Sequence, residues 1–120
     1  RFKAFPIQDD DHLLTVLRYV ERNPLRADLV KRAEQWPWSS LAWRVSGKRP
    51  PMLADWPIAY PTNWLTRVNR PQSQAEEKAL RRSIERGQPF GDETWVEHTA
   101  TRLGLESTLR PCGRPRKTEK

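Results

Sequence analysis

At 120 residues the chain suffices for one small domain or parts of two, and 36% hydrophobic residues with 11 prolines argue against a large core. A net charge of +7 favours polyanionic partners, and the six tryptophans carry much of whatever packing exists. The single cysteine, Cys112, excludes an intrachain disulfide and a Cys-based zinc site, and no apolar run approaches the roughly 18 residues of a membrane span.

In chain order, residues 1–7 alternate Phe2, Phe5 and Ile7 imperfectly and read as a short edge strand ending near Pro6. No obvious second strand accompanies it, which suggests a missing N-terminal portion. Asp9, Asp10 and Asp11 then offer N-cap choices for a helix over 10–23. Leu13, Leu14, Leu17 and Val20 form its expected buried stripe. His12, Val16, Tyr19 and Asn23 lie on an adjacent stripe. Asn23 precedes Pro24, so the helix is expected to stop there and a second short one to run to Val30, with Asn23 as its cap.

Beyond Trp36-Pro37-Trp38, a helical turn or two is expected over 41–45, and another short helix over 63–68. Ser73-Gln74-Ala75-Glu76 is a capping box that starts a helix running to Arg86, with Gly87 as its stop. Asp92 caps a last helix closed by Gly104, with Trp95, Val96, Thr99 and Leu103 inward. The reading is mainly α: an edge strand and about five short helices. It divides into a first folded part over 1–45, a Pro-rich linker with a short helical turn over 46–72, a helical extension over 73–109 and a basic disordered tail over 110–120.

The series Tyr19-Val-Glu-Arg-Asn-Pro-Leu-Arg-Ala27, then Leu29-Val30 and Trp38-Ser39-Ser40, resembles the tyrosine helix of REP-associated tyrosine transposases. These are relatives of the IS200/IS605-like single-tyrosine enzymes. The lead-in at 1–7, the stretch Gly87–Trp95 and Gly-Arg-Pro-Arg-Lys at 113–117 fit the same family. The resemblance implies a parent domain of α+β, ferredoxin-like nuclease fold with its N-terminal part missing here, and that 1–45 is the C-terminal part of that nuclease domain. It also implies cleavage and rejoining of single-stranded or hairpin DNA through a 5′-phosphotyrosine. Tyr19 matches the nucleophile. Asn23 matches a ligand of a divalent metal, Mg²⁺ or Mn²⁺, and residues four apart share a helix face.

The family's His-hydrophobic-His pair is absent: the two histidines are His12 and His98. The chain alone is therefore expected to bind no metal and to be inactive as a strand-cutter. Arg18, Arg22 and Arg26 step every four residues along or just beyond the tyrosine helix and are candidate phosphate contacts, or a solvated face. Trp38 is the tryptophan singled out for base stacking. Arg114, Arg116 and Lys117 resemble an AT-hook core or serve as a generic electrostatic tail. A cytoplasmic, nucleoid-associated bacterial location is expected. The alternative reading is a non-catalytic DNA-binding module.

Overall fold

The computed structural model describes residues 4–48 and 50–110. They form helices α1 (Asp11–Arg26), α2 (Ser40–Ser46), α3 (Trp64–Asn69), α4 (Gln74–Arg86) and α5 (Glu93–Leu103). Short 3-10 turns occupy Ala33–Gln35 and Glu106–Leu109. The mainly helical reading holds. No described helix is long and apolar enough to cross a membrane. The expected basic tail residues Arg114, Arg116 and Lys117 lie outside the described residues, as does Cys112.

The edge strand is replaced, among the described residues, by one isolated parallel bridge between Ile7 and Phe90. The Gln8 amide donates to the Phe90 carbonyl and the Phe90 amide to the Pro6 carbonyl, both at 2.9 Å. Pro6 has no amide hydrogen, so the ladder cannot extend toward Ala4. Gly91 lets this crossing close. A Cβ there would lie 2.6 Å from the Gln8 Oε1, which instead accepts from the Asp92 amide at 2.8 Å.

Helix α1 does not stop at Asn23. Asp10 caps its start by accepting from the His12 amide at 2.8 Å, and the helix runs through Pro24 to Arg26. Proline at 24 removes the amide that would serve the Val20 carbonyl. Val20 is 56% exposed, so water can take that place. The second helix expected over 24–30 is absent; Asp28, at φ 59°, turns the chain away.

The buried stripe of α1 also differs from expectation. Leu14 and Glu21 are buried, Leu17 and Leu25 pack beside them, and Val20 faces out. The core joins Leu14, Ala33, Leu41, Trp64 and Val68. Two of these five come from the stretch 46–72 expected to be a linker. Trp56 packs edge-on against Trp64, with ring centroids 5.1 Å apart, and brings Ile58 with it.

α4 keeps its capping box. Ser73 Oγ accepts from the Glu76 amide, and Glu76 Oε1 from the Ser73 amide, both at 3.1 Å. Leu80 and Ser83 face inward from α4, and Thr99 and Ala100 from α5. Leu103, expected inward, is 52% exposed because Gly104 ends α5 beyond the packed turn.

Candidate functional site around Tyr19

Continuation of α1 past Pro24 creates the arrangement around Tyr19. Seven residues are close to two helical turns, so Arg26 returns to the face that carries Tyr19. Its Nη2 donates to the Tyr19 phenol oxygen at 2.8 Å and to the Asn23 Oδ1 at 3.0 Å. Its Nη1 lies 3.3 Å from Glu77 Oε2 on α4. The guanidinium carbon also sits 4.3 Å from the Tyr19 ring centroid. One cation thus gathers a phenol, a carboxamide and a carboxylate.

Burial works to strip Arg26 of its charge. The Tyr19 hydrogen bond and then the Glu77 carboxylate outweigh burial and raise its pKa above the ordinary arginine value. Arg26 is therefore a permanent positive charge beside the phenol oxygen.

The other two arginines of the row face the α3 end. Arg18 Nη2 donates to the Arg70 and Pro71 carbonyls at 2.6 and 3.0 Å. Arg22 Nη1 donates to the Val68 carbonyl at 3.0 Å. These bonds satisfy carbonyls that the end of α3 leaves without helical partners. Burial lowers the Arg18 pKa first; Glu76 opposes this, and Arg67, Arg22 and Arg70 add to it. Arg18 and Arg22 are thus tied to backbone oxygens.

Trp38 is 74% exposed in the turn before α2. Trp64, by contrast, is fully buried, and its Nε1 donates to Glu21 Oε1 at 2.7 Å. The second Glu21 oxygen accepts from Ser40 Oγ. Sequence reasoning passed over both Glu21 and Glu77. Glu21 had a signal: it lies four residues after Leu17 and seven after Leu14, on the buried stripe. Glu77 had none, because its role depends on α4 lying against α1.

His12 stands apart from Tyr19's partners. Its Nδ1 is 2.9 Å from Asp10 Oδ1, and its Nε2 is 3.8 Å from Asp92 Oδ1. It thereby bridges the starts of α1 and α5.

A divalent metal at Tyr19 and Asn23 does not fit the residues present. Asn23 offers one neutral oxygen, and that oxygen already accepts from a guanidinium 3.0 Å away. The nearby carboxylate, Glu77, is paired with the same guanidinium. A second positive charge there would be repelled. No protein family, characterised protein or solved structure compared with the chain matches it.

Proposed function

We propose that this chain acts on DNA as part of a single-tyrosine strand transferase, with Tyr19 as the nucleophile. The parent domain on this reading is an α+β, ferredoxin-like nuclease fold. The phenol oxygen attacks the phosphorus of a single-stranded DNA backbone, a 5′-phosphotyrosine bond forms, and the 3′ oxygen leaves. The phenol proton passes to solvent, and the departing oxygen takes one up. The covalent link conserves the energy of the broken bond, so rejoining needs no other source.

The observation that carries the reading is the 2.8 Å hydrogen bond from Arg26 to the Tyr19 oxygen. That bond holds the attacking oxygen beside a fixed cation. The same guanidinium is within reach of a phosphate that approaches the phenol. The resemblance of the Tyr19–Ala27 series to the tyrosine helix supplies the reaction class, and the charge of +7 suits the polyanion.

The test is covalent capture. The chain alone, expected to give no adduct, is the control for a longer reading frame that carries it, which is mixed with labelled single-stranded hairpin DNA in Mg²⁺ buffer and run on a denaturing gel. A DNA adduct that maps to Tyr19 and disappears in Tyr19→Phe is expected. An adduct that persists in Tyr19→Phe defeats the assignment.

The poor fit of a metal at Asn23 favours a second reading, a non-catalytic DNA-binding module. It is distinguished by salt-sensitive DNA binding that survives Tyr19→Phe, with no adduct under any condition.

A further inference from the structure

Most charged residues of α4 fall on one face. Gln74, Glu77, Lys78, Arg81, Arg82, Glu85 and Arg86 line a groove of about 920 Å³, with more cations than carboxylates. Leu109, at the end of the turn Glu106–Leu109, and Arg110 line the groove's other side. Arg86 ties that side to the helix: its Nε donates to the Thr108 carbonyl at 2.8 Å and its Nη2 to the Ser107 carbonyl at 3.4 Å.

Lys78, Arg81 and Arg82 are exposed and form no ion pair among the described residues. Such unpaired cations attract anions from solution. At one end of the groove stands Glu77, 3.3 Å from Arg26, which holds the Tyr19 oxygen.

We propose that this groove is a track for the sugar-phosphate backbone of a single nucleic-acid strand, which it leads toward Tyr19. The proposal rests on the reading of the chain as a protein that acts on DNA. α4 spans about 18 Å along the groove, the length of about five stacked nucleotides. Lys78, Arg81, Arg82 and Arg86 occupy about 12 Å of that length. Leu109 is the one large aliphatic residue of the lining, which holds no aromatic residue. A protein partner needs a buried apolar or aromatic anchor, which such a lining does not offer.

The test measures binding of the whole chain to a fluorescein-labelled oligothymidylate by anisotropy, across a salt series. The combined variant Lys78→Gln, Arg81→Gln, Arg82→Gln is expected to bind about ten- to a hundredfold more weakly, with a salt slope shallower by about 2. A control variant, Lys31→Gln, Lys48→Gln, Arg102→Gln, removes the same charge from exposed positions outside the groove. It is expected to stay within about threefold of the parent. Equal losses in the two variants would overturn the proposal. So would a poly-glutamate peptide that displaces the probe as well as unlabelled oligothymidylate does at matched charge. Unchanged circular dichroism in both variants excludes misfolding as the cause of a loss. Tyr19→Phe is expected to bind the probe like the parent, so loss of the DNA adduct and loss of the track are separately visible.

Discussion

At the scale of single residues, the chain places its charges unevenly between core and surface. Glu21 is 2% exposed, yet it is satisfied by the Trp64 indole and the Ser40 hydroxyl. A buried acceptor stripped of its donor costs more than an average hydrogen bond gains. Trp64→Phe keeps an aromatic ring in the core but removes that donor. It is expected to destabilise the fold by about 1–3 kcal/mol, read as a lower urea midpoint. Trp56→Phe, at a half-buried ring that donates nothing to Glu21, is expected to cost less. Arg26 shows the opposite use of charge: it is held at the edge of the core by Tyr19, Asn23 and Glu77.

At the scale of elements, α1 decides most of the arrangement, and its two ends do different work. The C-terminal end carries Arg26 past Pro24 to Tyr19. The N-terminal end is fixed by Asp10. Burial tends to raise the Asp10 pKa, but the His12 amide, the His12 ring and its charge outweigh burial and hold it below its ordinary 3.8. A carboxyl depressed on folding stabilises the fold above its unfolded value and stops doing so as pH falls through its folded value. Asp10→Ala is therefore expected to cost about 1 kcal/mol at neutral pH. In thermal melts at stepped pH, the gap between parent and variant should stay constant down to about pH 4 and shrink below it. A gap that widens in acid would show that Asp10 does not act as this cap.

At the scale of the whole molecule, the cluster of buried apolar residues lies in the first part of the chain. Leu14, Ala33, Leu41, Trp64 and Val68 all precede α4, and Gln72 secures the junction by donating to the Thr15 carbonyl at 3.1 Å. The α4–α5 region buries Leu80, Ser83, Pro89, Thr99 and Ala100, with no buried tryptophan among them. Chains below about 40 residues seldom fold without a staple. Residues 4–72 are therefore expected to melt cooperatively by circular dichroism, whereas 73–110 alone should melt without a transition. A cooperative melt of 73–110 would contradict this division. The stretch 46–72 is thus not a spacer between folded parts; it supplies the tryptophan at the centre of the core.

Local chemistry made much of the fold legible in the sequence. The helical class, the Ser73–Glu76 capping box, the Gly87 and Gly104 stops and the Asp10 start all depend on neighbours within a turn or two. So does the alignment of Tyr19 with Asn23, which needs only helical spacing. The continuation through Pro24, the burial of Glu21 and the meeting of Arg26 with Glu77 were not legible. Each depends on which surface packs against α1, and residues more than forty positions away, at Trp64, Val68 and Glu77, supply that surface. The amino-acid sequence determined where helices begin and which side chains share a face. Only tertiary packing decided which face is covered, because the free energy of burying or pairing a group belongs to both partners at once.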